Sequence, residues 1–204
     1  MAPPDPSIDR PLVIVLSGPS GAGKDAVMHR MRERGLPIAV PATMTTRAPR
    51  DGEVDGVHHV FVDRAEFERT LAEGELLEHA EVYGNYYGVP RSEVRTALAR
   101  GRHVIVRVDV QGAASLRAVL AGALFLFIVP DDLEHLEAHL RERGTEDEAA
   151  LQRRLAEARV ELEQARHFDH VVTNVEGDLD ATVDAAWALI EGEAARPDRE
   201  PIVV

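Results

Sequence analysis

Pro11-Leu12-Val13-Ile14-Val15-Leu16-Ser17 runs directly into Gly18-Pro19-Ser20-Gly21-Ala22-Gly23-Lys24-Asp25. The first seven residues read as a strand buried on both faces, since no polar residue interrupts the apolar run. The next seven form a GxxxxGK loop, and Asp25 to Arg34 follows as an amphipathic helix that stops at Gly35. Strand, glycine loop and helix in that order make a phosphate-binding unit: glycines let several backbone N–H groups converge, the helix N-terminus adds positive partial charge, and Lys24 reaches the β and γ oxygens. The chain has 22 arginines and one lysine, which is Lys24. A compact ammonium fits a tight ring of amides where a planar guanidinium fork does not. Such loops place Ser or Thr after the lysine to ligate Mg²⁺; Asp25 stands there instead, a competent magnesium ligand that brings extra negative charge.

Working outward, strands alternate with helices, which predicts an α/β fold: a P-loop core with a mostly parallel sheet flanked by helices. Further strands are read at His103 to Val110, Ala123 to Val129 and Val171 to Asn174, and helices at Gln111 to Leu120, Leu133 to Arg143, Glu148 to Arg166 and Asp180 to Glu193. The rhythm breaks between about residues 41 and 100, where turn residues and the short β-like pieces HHVFV and VYGNYYG predict a small insertion beside the sheet. The core is then 11–40 and 101–193, with flexible segments at 1–10 and 194–204. At 204 residues one domain of ordinary size is expected. With 23 basic and 36 acidic residues, a net charge of −13 disfavours a nucleic-acid or anionic-membrane surface. No apolar run approaches the ~20 residues of a membrane span. The first ten residues, proline-rich and acidic, do not read as a signal peptide. The absence of cysteine removes disulfides and thiolate chemistry, and the expected compartment is the cytoplasm.

A donor site does not name an acceptor. Thr45-Thr46-Arg47-Ala48-Pro49-Arg50-Asp51-Gly52-Glu53 places two arginines three apart, and paired guanidinium forks can hold one phosphate dianion; a solvated basic turn would read the same way. Glu75 to Gly88 combines carboxylates with tyrosines at turn glycines. A carboxylate in a nucleotide pocket can accept both N1–H and N2–H of guanine, and adenine would leave it unpaired.

GPSGAGK, TTRAPRDGE, NYYG, VDVQGA, RERGTE and FDHVVTN occur in the order and near the spacing found in guanylate kinases, and the chain resembles that family from about Leu12 to Ile190. The resemblance implies a core bearing the ATP loop (Gly18, Pro19, Ser20, Gly21, Ala22, Gly23, Lys24, Asp25), a GMP-binding insertion and a mobile helical lid at about 140–155. It implies that Arg47, Arg50 and Tyr87 bind the GMP phosphate, that Glu78 binds the guanine edge and Thr43 supports O6. Asp109 would lie near acceptor and metal, Arg143 and Arg154 would close over the triphosphate, and Asn174 would lie near adenine. Lys24, Arg47, Arg143 and Arg154 would be the catalytic cations, with ATP as donor and Mg²⁺ as cofactor; either Asp25 holds that ion directly or the ion leans on other groups.

Three positions depart from the family pattern. His59 stands for a tyrosine that touches the GMP phosphate, Val89 for a Ser or Thr near guanine O6, and His139 for a lid arginine. His59 can still donate a hydrogen bond. The expected reaction is in-line phosphoryl transfer from ATP to GMP or dGMP without a covalent intermediate, by positioning and charge neutralisation. Closure of lid and insertion on both nucleotides would exclude water. The enzyme would be a monomer or homodimer. The alternatives are a ribose bisphosphate phosphokinase, suggested by the GKD ending of the loop, a nucleoside monophosphate kinase of altered base choice, suggested by Val89, and a non-catalytic interaction module, disfavoured by the intact loop.

Overall fold

A computed structural model describes residues 8–143 and 148–204, apart from the side chains of Glu142 and Arg143. Its centre is a five-stranded, all-parallel sheet of order β2-β7-β1-β8-β9. The strands are β1 (Val13–Ser17), β2 (Ile38–Ala39), β7 (His103–Arg107), β8 (Leu124–Pro130) and β9 (His170–Asn174). β1 lies in the middle and is buried along its whole length.

Alternation along β1 sets the two faces, because successive side chains of a strand point to opposite sides. Leu12, Ile14 and Leu16 pack with Val27 and Met31 of α1 (Lys24–Glu33) and with Val183, Ala186 and Ile190 of α7 (Leu179–Ala194). Val13 and Val15 face Val94 of α3 (Arg91–Ala99) and Ala113 and Leu116 of α4 (Val110–Val119). The strand expected at His103 to Val110 ends at Arg107, because the Asp109 carboxylate accepts the Gly112 N–H at 2.7 Å and caps α4 there. The helix expected at Glu148 to Arg166 is α6 (Glu148–Leu162) followed by a tighter 3₁₀ turn at Glu163–His167. With α5 (Leu133–Arg143), α6 forms a small core of Leu136, Leu140, Leu151 and Leu155.

The insertion is a second sheet of order β4-β3-β6-β5, from β3 (Thr43–Thr45), β4 (His59–Phe61), β5 (Leu76–Val82) and β6 (Asn85–Pro90). β5 and β6 join through Tyr83 and Gly84, both at positive φ (50° and 77°), as a two-residue hairpin of primed type requires. Helix α2 (Arg64–Ala72) starts where the Asp63 side chain accepts the Glu66 N–H, and its Phe67 packs with Met44 and Leu76. Helix α3, within the stretch read as insertion, packs on the main sheet through Val94.

The segment read as a loose tail docks instead. Ile202 and Val204 pack against the α3–α4 side of the core, Arg199 pairs with Glu193, and Arg95 Nε donates to the Val204 carbonyl at 2.9 Å. Nearby, Ile8 N–H donates to the Gly101 carbonyl and the Arg10 guanidinium to the Arg196 carbonyl, so part of the first ten residues joins the fold.

His103 is 1% exposed; its Nδ1 accepts the Leu12 N–H at 2.9 Å and its ring meets Trp187 edge-on. Burial pushes its pKa down to about 4, so the native protein holds the ring neutral where the unfolded chain takes up a proton near pH 6.5. Stability contributed by the neutral ring is whole at higher pH and falls on acidification, by about 2 kcal/mol between pH 7 and pH 5. Urea unfolding at the two pH values should show this drop in the wild type and a smaller one in His103→Gln.

Candidate active site

The loop between β1 and α1 is shaped by what packs behind it. Gly18 has φ 143°, and a Cβ there would lie 2.2 Å from the Ile128 carbonyl oxygen of β8. Gly23 has φ 87°, and a Cβ would lie 2.3 Å from Asn174 Nδ2 at the end of β9. Both positions admit only glycine, for backbone conformation and for space. Asn174 Nδ2 donates to the Ala22 carbonyl at 3.2 Å and its Oδ1 accepts from Thr182 Oγ1 at 3.1 Å. The residue expected near adenine thus braces the loop from behind. His139 does the same from α5: its Nδ1 is 3.2 Å from the Gly21 carbonyl and its Nε2 is 3.1 Å from Glu176. Gly23 is the N-cap of α1 and no side chain caps that end among the described residues, which leaves the first-turn N–H groups facing the loop. Lys24 Nζ donates to the Gly18 and Pro19 carbonyls at 2.6 and 2.9 Å, and Arg154 Nη2 to Ser20 Oγ at 3.0 Å.

The loop lines a cavity of about 430 Å³ whose walls include Ser20, Gly21, Lys24, Asp25, Arg107, Asp109 and Glu161. Asp109, carried over as an acceptor-side residue, faces this cavity. Glu161 was not singled out from sequence, although it lies seven residues after Arg154 and so on one face of α6. Burial raises the pKa of Glu161, while the Lys24 cation and the Ser20 N–H act in the opposite direction.

A second cavity, of about 400 Å³, opens between the two sheets. Thr43, Glu53, His59 and Val89 line its insertion side, Arg32 and Arg107 its core side. His59 Nδ1 lies 3.2 Å from the Thr43 carbonyl, and its ring sits edge-on to Tyr87 with centroids 6.3 Å apart. Arg47 is held bidentately by Glu53, at 2.9 and 2.8 Å, with only 14% and 19% of the two side chains exposed. The Arg47 guanidinium, then the Arg50 backbone N–H, hold the Glu53 carboxyl down at about 2. Glu53 ends the TTRAPRDGE motif, and its role as the holder of Arg47 was missed. The Arg50 side chain is exposed and contributes its backbone to this arrangement. Glu78 is half-buried on β5; burial first, and the Asp109 charge second, raise its pKa. The Arg143 side chain, expected over the triphosphate, lies outside what the structure describes.

Loop, sheet order and paired cavities define a P-loop nucleotide-binding fold with a second cavity of similar volume beside the loop. The sequence profile described as Guanylate kinase matches residues 10–193. Similar proteins include guanylate kinase 2, chloroplastic/mitochondrial, of Oryza sativa subsp. japonica, 41% identical over 99% of this chain and 70% of that protein. The guanylate kinase of Gloeobacter violaceus is 46% identical over 87% and 86%. The crystal structure of guanylate kinase from Anaplasma phagocytophilum superposes with a TM-score of 0.68 at 31% identity, covering 93% of this chain and 89% of that one. The chain belongs to the guanylate kinase family of phosphate-transferring enzymes.

Gly23→Ala should drive Asn174 off the loop. Nucleotide affinity measured by calorimetry should fall at least tenfold, and the melting temperature should drop further than in Gly52→Ala, where φ is 85° but a Cβ meets open space.

Proposed function

We propose that this chain transfers the γ-phosphoryl group of ATP to GMP, and to dGMP, by direct in-line attack of the acceptor phosphate. The observation that carries the reading is two adjoining cavities, one walled by the amide loop and Lys24, the other by Thr43, His59 and the Glu53 that holds Arg47. A dissociative transition state needs charge neutralisation and alignment more than covalent chemistry, and cations placed at both ends of the transfer path provide them. Arg47, pre-set by Glu53 with Tyr87 beside it, is placed to meet the acceptor phosphate, and the exposed Arg50 can join it. Glu78, whose ionised form is made costly by burial, would recover that cost by accepting the guanine N1–H and N2–H. Arg143 and Arg154 would close over the triphosphate from the lid.

The donor set fits a magnesium ion. Asp25 and Asp109 offer hard carboxylate oxygens in the donor cavity, and no cluster of three or more His, Cys, Asp or Glu suited to holding a metal occurs among the described residues. That pattern suits an ion held by one or two carboxylates and by nucleotide phosphates. Bound there, Mg²⁺ would neutralise charge on the β and γ oxygens. No helix among the described residues is long and apolar enough to cross a membrane. The reading places the activity in purine metabolism, in the cytoplasm, in a monomer or homodimer. Val89, buried on the acceptor cavity, favours altered base choice as the second reading.

ADP formation against GMP, dGMP, AMP, CMP, UMP and ribose 1,5-bisphosphate decides between these: preference for GMP is expected, and its absence ends the proposal. Lys24→Ala should cut kcat by 10³-fold or more at about unchanged melting temperature, on the order of 4 kcal/mol of transition-state stabilisation. Glu78→Gln should raise KM for GMP at least tenfold and KM for ATP less than about twofold; equal effects would remove Glu78 from the base pocket.

A further inference from the structure

The two cavities share a wall. Two residues line both of them, Asp25 and Arg107. Arg107 Nε lies 3.2 Å from Asp25 Oδ1, with about half of each side chain exposed (50% and 54%). Arg107 is the last residue of β7, level with Leu16 of β1, and Asp25 is the second residue of α1. The pair therefore bridges the end of the sheet and the start of the loop helix, at the boundary across which a phosphoryl group would pass.

Phosphate loops normally carry a neutral hydroxyl at this position. A carboxylate there repels a triphosphate unless a cation offsets it, and Arg107 is placed to do so. A single contact between half-exposed groups belongs to the weakest class of ion pairs, so either partner exchanges readily for a more highly charged one. The carboxylate faces the donor cavity, where a divalent cation would sit, and the guanidinium also borders the acceptor cavity, where a phosphate dianion would sit.

We propose that Arg107 is a positioning residue that couples the two sites: it holds Asp25 until an acceptor phosphate draws the guanidinium away, which releases the carboxylate to ligate a divalent cation on the donor side. Acceptor and cation then bind cooperatively through one exchangeable pair, and by linkage each strengthens the other to the same degree. This inference rests on the function proposed above.

The test is calorimetric and needs no turnover. Affinity for the β,γ-imido analogue of ATP is measured with Mg²⁺ or EDTA, each with and without GMP, on the full chain. In the wild type, GMP should enlarge the Mg²⁺-dependent gain in analogue affinity about fivefold to tenfold. Arg107→Met and Asp25→Ser should each bring that enlargement below twofold, and the double variant should lose no more than either single one. Arg107→Lys, which keeps the charge without the fork, should retain part of it. An enlargement kept in full by Arg107→Met, or absent from the wild type while both nucleotides bind, would overturn the coupling. Failure of GMP to bind the wild type at all would overturn the function proposed for the chain instead.

Discussion

The structure depends on one constraint: a strand buried on both faces must end in a ring of backbone amides that stay open for an anion. Side chains would close that ring, so space is supplied by glycine and shape by neighbours. β8 brings the Ile128 carbonyl against Gly18, β9 brings Asn174 against Gly23, and α5 brings Leu136 and Leu140 against Gly21. Three elements remote in sequence therefore converge on six loop residues. A parallel sheet with β1 at its centre permits this, because the ends of β8 and β9 stand on the same edge as the end of β1.

The second constraint is charge. A chain of net charge −13 that handles phosphates must gather its cations locally. It does so by pairing them with acids of graded strength. Arg47 and Glu53 make two short contacts in a largely buried setting, and the guanidinium holds the carboxyl well below the usual carboxylate range. That pair is architecture: it fixes one guanidinium to Glu53, which lines the cavity between the two sheets. Asp25 and Arg107 make one longer contact in the open, and Glu161 lies in the Lys24 cavity with its charge disfavoured by burial.

The strand–loop–helix unit was legible because its signals are local: an apolar run, glycines and a lysine in consecutive positions. The parallel core followed from alternation. Helices α2 and α3 were missed because both fall within the stretch assigned to the insertion from its turn residues and short β-like pieces, although Val94, Ala97 and Leu98 of α3 fall at helical spacing on one buried face. The docked tail was missed for a similar reason. Ile202 and Val204 belong to an apolar stretch of only three residues, Ile202-Val203-Val204, after a charged, proline-bearing segment, and what receives them is the face of α3 and β7, about a hundred residues away. At the site, the motifs named the right neighbourhood but not the partners. Reading the strand on to Val110 hid Arg107 inside an element that ends there. Asn174 was expected near adenine and His139 was noted as standing for a lid arginine; both side chains also reach loop carbonyls, an arrangement set by side-chain reach across the sheet and invisible to spacing.

Asp25 and Arg107 together show why charge and position have to be weighed separately. Replacing a hydroxyl by a carboxylate adds one negative charge beside the triphosphate, and a guanidinium at the end of β7 adds one positive charge within 3.2 Å of it. Their sum is that of a loop with serine, so the long-range field at the donor site changes little. What changes is reach. A serine hydroxyl serves the donor side alone, whereas a carboxylate bridged to a residue on the acceptor side extends the loop's influence across the shared wall. The departure that looks like a defect in the loop, taken alone, is half of a neutral pair that lines both cavities.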